Sequence, residues 1–451
     1  MTGSVGYRKS LPRSVVLAGL LIGFAIAMAA PATAANPMPG ARKGVITKPA
    51  ELADAAPPKK VPGVVIDHSP AASGRYIGSP SLVILPDGNY LASHDFFGPK
   101  SNSKSCATTV VFLSKNRGAS WHKRAQLRCA FWSNLFVHRG AVYLMGTTKE
   151  YGRIVIRRSR DDGKTWTEPD TASTGLLTPA GHWHTAPCPV VEHAGRLWRA
   201  FENADGGTQW GKRFQAGMLS VPEDANLLVA ANWTFSNFLP RNPEWLNGEF
   251  GGWLEGNAVV APDGNVVDVL RVDVPHLPEK AAIVHISADG RRASFDPATG
   301  FINLPGGATK FTIRQDPKEG GYWTLANIVT GQSAGGDSVF SVRPASVRNT
   351  LALLYSPDLR KWEVRGIILH HPDITHHAFQ YVDWQFDGNG IIVASRTSYD
   401  DGQGGAHSFH DANYLTFYRI KHFRTLGMKS DTSDHQPKTI TPPKECGCGD
   451  M

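Results

Sequence analysis

Short apolar segments alternate with tight polar turns along most of the chain from residue 63 to residue 426. Apolar runs of roughly four to eight residues, bounded by Gly, Asp and Asn, are typical of β-strands joined by turns. Apolar residues spaced three and four apart, as in an amphipathic helix, are scarce. The pattern therefore predicts an all-β chain. The turns between paired strands fall at 86–89, 138–141, 193–196, 262–265, 317–321 and 387–390.

The unit of strand, turn and strand repeats along the chain. It recurs about six times at intervals of roughly 45 to 65 residues, which is the range of repeat proteins built from β-sheet blades. Repeats that consist only of strands close into a ring of blades. We therefore predict a β-propeller over residues 63–426, with the catalytic residues in the same domain.

A second hairpin in several units carries a specific motif. Residues 159–166 read SRDDGKTW, and degenerate copies occupy 114–121 and 356–362. We expect Asp161 to bind backbone amides of its turn, Gly163 to adopt a positive φ and Trp166 to pack between sheets. These roles are structural, so no catalytic role is assigned to the motif. It resembles the Asp box, which marks the outer hairpin of blades in sialidase-like propellers.

The N-terminal residues predict export. Arg8, Lys9 and Arg13 precede an apolar run at 15–30, and small residues at 32–34 resemble a signal-peptidase site. The run is shorter than the roughly 20 residues that span a bilayer. We therefore predict a signal peptide at 1–34, a secreted or periplasmic protein, and no membrane segment after cleavage. The flanking stretches 35–62 and 427–451 are predicted to be a disordered linker and a disordered tail.

Charge narrows the class of partner. The formal net charge of +8 falls to about +5 once the three basic residues of the signal are removed. A mildly basic surface suits an anionic ligand, and no nucleic-acid-binding signature is present. We predict a monomer that binds an acidic oligosaccharide or polysaccharide and no nucleic acid.

The chain has five cysteines. Cys106 and Cys129 flank one predicted hairpin, and in an oxidising compartment we expect them to form a disulfide. Cys188 is predicted to be buried and free. Cys446 and Cys448 lie in the tail, where they either join another molecule or are inert.

One rim of the predicted propeller collects polar side chains. Strands of a blade run alternately up and down, so the start of the first strand and the end of the second lie on the rim opposite the Asp boxes. Aromatic residues that could stack on sugars gather there, among them Trp132 and Tyr381, and Glu255 lies on the same rim. The alternative is that these are ordinary polar loops.

The resemblance extends to whole families. Sialidases begin their first blade with Tyr/Phe-Arg-Ile-Pro, whereas residues 74–81 here read GRYIGSPS; the arginine is displaced, and no Tyr–Glu nucleophile pair stands out in the sequence. A closer resemblance, from Arg75 to Arg424, is to glycoside hydrolase family 145 and polysaccharide lyase family 42. These seven-bladed enzymes remove terminal L-rhamnose from α-1,4-linked D-glucuronate, so six or seven four-stranded blades are expected. The motifs that carry this resemblance are YIGSPS at 76–81, LASHD at 91–95, GHWHTAP at 181–187, QYVDW at 380–384, SRT at 395–397 and HDANYL at 410–415.

The resemblance implies acid–base chemistry on a uronate. Arginines would hold the carboxylate, a base would remove the C5 proton and an acid would assist the leaving oxygen. Histidines titrate near neutral pH and suit both roles, with tyrosines as substitutes. The catalytic candidates are His94, His184, Tyr76 and Tyr399, and the substrate-binding candidates are Arg75, His182, Trp183, Arg271, His377, Gln380, Arg396 and His410.

Three functions remain open from the sequence. They are cleavage of rhamnose from glucuronate by a lyase or hydrolase, exo-α-sialidase activity, and glycan binding without catalysis. No HExxH motif is present, so zinc is not indicated, whereas a Ca²⁺ ion held by Asp and backbone carbonyls is left open.

Overall fold

The protein is described from a computed structural model, which covers residues 60–274, 280–330 and 342–427. The predicted signal peptide, the linker up to residue 59, the tail from residue 428, and with it Cys446 and Cys448, lie outside these residues. No helix in the described ranges is long and apolar enough to cross a membrane.

The described residues form six antiparallel β-sheets, one for each predicted repeat. The N-terminal strand, β1 (Val64–His68), joins the last sheet. Blade 1 consists of β2 (Tyr76–Ile77), β3 (Ser81–Ile84), β4 (Tyr90–Phe97), β5 (Thr108–Ser114) and β6 (His122–Arg128). Blade 2 consists of β7 (Phe131–His138), β8 (Ala141–Thr147) and β9 (Ile154–Ser159), and blade 3 of β10 (Trp183–His184), β11 (Val191–His193), β12 (Arg196–Asn203), β13 (Gln215–Pro222) and β14 (Thr234–Phe235).

Blades 4 to 6 continue in the same way. Five short 3₁₀ helices lie at Ala71–Ser73, Ala230–Asn232, Trp245–Gly248, Pro344–Ser346 and Phe423–Thr425. The strands are β15 (Gly252–Val260), β16 (Val266–Asp273), β17 (Lys280–Ile286), β18 (Ala293–Ser294), β19 (Phe301–Asn303), β20 (Thr312–Gln315), β21 (Tyr322–Asn327), β22 (Thr350–Ser356), β23 (Glu363–His370), β24 (Ala378–Asp387), β25 (Gly390–Ser398) and β26 (Tyr414–Ile420).

The ring closes by pairing the two ends of the domain. Blade 6 has the strand order β24, β25, β26 and β1, so its outermost strand comes from the start of the domain. Blades 1 and 6 are joined directly, because their inner strands β3 and β24 are in contact. The all-β prediction is confirmed, and the blade count is six.

Each pair of neighbouring blades encloses one hydrophobic core, which gives six such cores in the described residues. Between blades 5 and 6, for example, Trp323 and Leu353 pack against Trp384 and Val393. Middle strands such as β5 and β8 are buried along their whole length, because each sheet has another on both sides. This double burial explains the continuous apolar runs in the sequence.

The turn at residues 159–166 has the expected hydrogen bonds. Asp161 accepts a hydrogen bond from the backbone N–H of Thr165 at 2.9 Å, and Trp166 donates to the Gly163 carbonyl. Gly163 has a φ of 74°. Trp166 packs, half-buried, against the core between blades 1 and 2.

The cysteine predictions within the described residues are confirmed. Cys106 and Cys129 form a disulfide that joins the loop before β5 to the end of β6. Cys188 is buried and free.

Candidate active site

Three inner strands begin with the same distortion. In β7, β15 and β24 the pairing register shifts by a β-bulge near the start of the strand. Each bulge contains one non-glycine residue with positive φ: Trp132 at 48°, Glu255 at 52° and Tyr381 at 54°. Bulges of this kind redirect a side chain, and strained backbone of this kind concentrates at functional sites. The three bulges lie on the rim where the inner strands begin.

Tyr381 and Glu255 form a direct pair across this rim. The Tyr381 hydroxyl donates a hydrogen bond of 2.6 Å to Oε1 of Glu255, and Nη1 of Arg271 donates to Oε2 at 2.9 Å. Glu255 and Arg271 are buried, whereas Tyr381 is partly exposed. Arg271 lies on β16 opposite Leu254, beside the bulge. The phenol is thus the member of this trio that a ligand can reach.

Opposite pKa shifts define the protonation state of each member of this pair. Burial and the negative charge of Glu255 raise the pKa of Tyr381 above its usual value of 10.0, so the phenol is protonated at neutral pH. Burial alone would raise the pKa of Glu255, but Arg271, His184 and the hydrogen bond from Tyr381 together lower it. Glu255 is therefore an ionised base that already accepts the phenolic hydrogen bond.

Two further guanidinium groups lie against the Tyr381 ring. The Cζ atoms of Arg396 and Arg348 are 4.9 and 5.4 Å from its centroid. Both side chains are buried, and neither forms an ion pair with a carboxylate of residues 60–274, 280–330 or 342–427. Arg348 donates to the Gln380 side chain and Arg396 to the His410 carbonyl, and Nε of Arg396 has no partner in the same ranges.

The charges of these arginines oppose one another. Burial, together with the positive charges of Arg271 and Arg396, lowers the pKa of Arg348 to about 10, although the negative charges of Tyr381 and Glu255 oppose this shift. Burial also lowers the pKa of Arg396. Buried cations without a carboxylate partner are costly unless an anion neutralises them. A bound carboxylate, which accepts paired hydrogen bonds from guanidinium groups, would supply that charge.

Aromatic side chains form a second part of the site. Trp132 packs edge-on against His184 with ring centroids 4.7 Å apart and against Tyr151 at 5.6 Å. The guanidinium of Arg213 lies 4.7 Å from the centre of the Tyr151 ring. Tyr151 is close enough to Tyr381 for the charge of one phenol to affect the other. Stacking surfaces of this kind are suited to sugar rings.

His184 is held in this site by a buried carboxylate. Its Nδ1 lies 2.7 Å from Oε2 of Glu202, and Oε1 of Glu202 accepts the backbone N–H of Gly256 at 3.0 Å. The ring stacks on Phe214 with centroids 4.2 Å apart. Glu202 is completely buried, so it acts on the site through His184 and through the strand that carries Glu255.

The structure brings five of the predicted residues together. Arg271 and Arg396 contact the Tyr381 and Glu255 pair, Gln380 and His410 hold the guanidinium groups, and His184 lies on the aromatic side.

Other candidates are placed differently. His94 is completely buried against Phe112, and its Nε2 lies 2.8 Å from Oδ2 of Asp67. Tyr399 is also buried, with its ring 4.9 Å from that of His377.

The remaining candidates lie in or directly before the short strands β2 and β10. Tyr76 stacks on His407, while the Arg75 guanidinium covers Phe96. Exposed His182 pairs with Asp205 at 2.6 Å, and Trp183 is buried. Roles for these residues stay predictions.

Sequence reasoning did not assign Arg348 to the site. The rim residues were predicted only from the start of the first strand and the end of the second strand of each blade. The third strand of each blade also begins on this rim. Arg348 lies two residues before β22, the third strand of blade 5. The apolar strand that follows Arg348 in the sequence could have indicated that this arginine lies at the rim.

No group of three or more His, Cys, Asp or Glu side chains converges as a metal site within the described ranges.

Comparison with known proteins supports the fold. No protein-family profile and no curated protein matches the chain. Among solved structures, it is similar to an α-L-arabinanase of Penicillium chrysogenum complexed with arabinobiose, with 14% identity and a TM-score of 0.50 over 82% of this chain and 100% of that one. It is also similar to a Hadza microbial sialidase, with 13% identity and a TM-score of 0.53 over 80% of this chain and 68% of that one.

A sialidase of Trypanosoma rangeli in complex with sialic acid is 14% identical with a TM-score of 0.50, over 81% of this chain and 58% of that chain. Identities this low bear on the fold alone. The chain is a sialidase-like, six-bladed β-propeller.

Proposed function

We propose that this protein is a retaining exo-glycosidase that hydrolyses the glycosidic bond of a terminal, carboxylate-bearing sugar, with Tyr381 as nucleophile. The observation that carries the proposal is the position of Tyr381: its hydroxyl is bonded to Glu255 while Arg348 and Arg396 lie against its ring. A tyrosine nucleophile is the arrangement that sialidases use among glycosidases.

The chemistry follows from the pair. Oη of Tyr381 attacks the anomeric carbon as its proton passes to Glu255, and the glycosidic C–O bond breaks with its electron pair on the leaving oxygen, which takes a proton from a general acid. Water then attacks the anomeric carbon of the glycosyl-tyrosine. The tyrosine oxygen leaves with its bonding electrons and recovers the proton from Glu255. Two displacements give overall retention of configuration.

The arginines favour a sugar whose carboxylate lies next to the anomeric carbon. A carboxylate held by Arg348 and Arg396 would lie beside the nucleophile, because both guanidinium groups are within 5.4 Å of its ring centre. A neutral phenol approaches such a carbon without the repulsion that an attacking carboxylate would meet. A nonulosonic acid such as sialic acid carries its carboxylate on the anomeric carbon. The predicted export signal fits an extracellular glycan substrate.

Cleavage of rhamnose from glucuronate is the second candidate. A uronate also carries a carboxylate that arginines can neutralise, and Arg271 and Arg396 were expected to do so. The six blades of this chain differ from the seven of the families that it resembles in sequence. We therefore place exo-sialidase activity first.

The test is incubation of the purified protein with sialyllactose and, separately, with gum arabic. The proposal expects free sialic acid that is released first as the α-anomer, which proton NMR resolves. Release of rhamnose with rising ultraviolet absorbance would instead establish a lyase, and rhamnose without absorbance a rhamnosidase. Binding of either glycan without product would contradict the enzymatic proposal.

A further inference from the structure

Resting on that proposed function, we infer that His184 is the general acid that protonates the leaving oxygen, and that Glu202 is its positioning residue. The two-step displacement needs a general acid, which the pair of Tyr381 and Glu255 does not supply.

The hydrogen bonds of His184 leave one ring nitrogen for a ligand. Nδ1 is fixed by Oε2 of Glu202 at 2.7 Å, and in the described ranges no protein group is hydrogen-bonded to Nε2. A carboxylate bound to Nδ1 fixes the orientation of the ring and stabilises the imidazolium, as in other carboxylate–histidine pairs of enzymes. His184 is therefore prepared to donate from Nε2.

Packing fixes the plane of the ring. Phe214 stacks on one face with an interplanar angle of 14°, and Trp132 meets the ring edge-on at 71°. Trp132 is itself one of the three bulge residues with positive φ. The ring thus has a defined position between a buried support and the aromatic side of the site.

Glu202 links this histidine to the nucleophile's base. Its second oxygen accepts the N–H of Gly256, the residue that directly follows Glu255. Glu202, Glu255 and Tyr151 are titratable groups that lie near His184. One buried carboxylate therefore holds both the imidazole and the bulge that presents Glu255.

Other acids on the rim are already occupied. Asp95 uses both oxygens for the backbone N–H groups of Ser79 and Trp132 and is buried. Asp411 is paired with His407 and His410. Asp205 is paired with His182.

The proton balance is complete with this assignment. The Nε2–H of the imidazolium passes its proton to the glycosidic oxygen as the C–O bond breaks. The neutral imidazole then takes a proton from the water that attacks the glycosyl-tyrosine and returns to its charged form. No other reactant is needed.

The experiment compares two leaving groups in His184→Gln. On sialyllactose, whose sugar alcohol must be protonated to leave, we expect kcat/KM to fall by about 10² to 10⁴-fold. On 4-nitrophenyl sialoside, whose nitrophenolate leaves without a proton, the fall should be less than about tenfold. The matched control is His138→Gln. His138 also pairs with a glutamate, Glu192, but at the far end of β7, and its loss should affect both substrates little.

Glu202→Gln tests the positioning role. The amide keeps the shape of the side chain but removes the charge that favours the protonated ring, so the alkaline limb of the kcat/KM profile should move to lower pH. This variant also carries the test if His184→Gln does not fold. An unchanged profile in Glu202→Gln would overturn the positioning role.

Equal losses on both substrates in His184→Gln, or full activity on sialyllactose, would overturn the assignment of His184. If the wild-type protein cleaves neither substrate, the proposed function itself fails and the inference fails with it. Measuring the wild type first separates the two failures.

Discussion

The hydroxyl of Tyr381 lies 2.6 Å from Oε1 of Glu255, although the two residues are far apart in the chain and belong to blades 6 and 4, with blade 5 between them. Both stand at bulges with positive φ. The propeller thus places the protonated phenol of Tyr381 against the ionised carboxylate of Glu255. This carboxylate can take the phenolic proton as the oxygen attacks the anomeric carbon.

Removing the phenolic oxygen is the most direct test of that relationship. In Tyr381→Phe the ring still packs against Arg348 and Arg396, so the fold should persist while turnover falls by about 10³-fold or more. Activity on 4-nitrophenyl sialoside and thermal unfolding measure the two effects. Tyr355→Phe, near the C-terminal end of β22, is the matched control. Turnover in Tyr381→Phe close to that of the wild type would exclude a tyrosine nucleophile.

Arg348 and Arg396, which form no ion pair with a carboxylate in the described ranges, should contribute to recognition of the substrate carboxylate. Arg348→Lys keeps a positive charge but loses the paired N–H donors, so we expect KM to rise and kcat/KM to fall by about 10 to 100-fold, the scale of a charged hydrogen bond. Steady-state kinetics on the sialoside and on its methyl ester separate recognition from folding. The methyl ester should be a poor substrate for the wild type. On this ester, kcat/KM of Arg348→Lys should be only slightly lower than that of the wild type. An equal loss on acid and ester would contradict a carboxylate clamp.

The sequence was sufficient for the fold because the fold repeats. Six turns at similar intervals and the motif at 159–166 each predict a blade, and a ring follows from the repetition. The disulfide between Cys106 and Cys129 was predictable because both residues flank one hairpin.

The site was predictable only in part. Arg271 and Arg396 end second strands, a position that the alternation of strands identifies. The pairing of Tyr381 with Glu255 depends on two bulges in separate blades, and a bulge shifts side chains without leaving a mark in the hydrophobic pattern. His94 also lies near the end of a second strand, but its side chain points into the interface with blade 6, toward Asp67 on β1.

The disulfide should stabilise the loop beside the aromatic side of the site. It closes a loop of 23 residues, for which the expected contribution to the free energy of unfolding is about 2 to 4 kcal/mol. The double variant Cys106→Ser, Cys129→Ser should therefore unfold at lower urea concentration. Cys188→Ser is the control for thiol substitution. Equal unfolding midpoints for the wild type and the double variant would contradict the contribution.

Asp95 should make the stability of the protein depend on pH. Its carboxylate receives the backbone N–H groups of Ser79 and Trp132 at 2.8 and 2.6 Å and so connects blades 1 and 2 beside the Trp132 bulge. Burial nevertheless raises its pKa from 3.8 to about 6, because desolvation exceeds the effect of these hydrogen bonds and of the charges of His94 and Arg396. The folded state therefore binds this proton more tightly than the unfolded state does.

The proton on Asp95 therefore stabilises the folded protein at low pH. The contribution of the protonated carboxyl is fully present below the unfolded pKa of 3.8 and is lost as pH rises through the folded pKa of about 6. A shift of about two pKa units corresponds to about 3 kcal/mol. Relative to Asp95→Asn, whose side chain does not titrate, the wild type should lose up to about this free energy of unfolding between about pH 4 and pH 7. Urea unfolding of both proteins across that range measures the difference. A difference that stays constant, or that grows in favour of the wild type as pH rises, would show that Asp95 is already ionised in the folded protein at low pH.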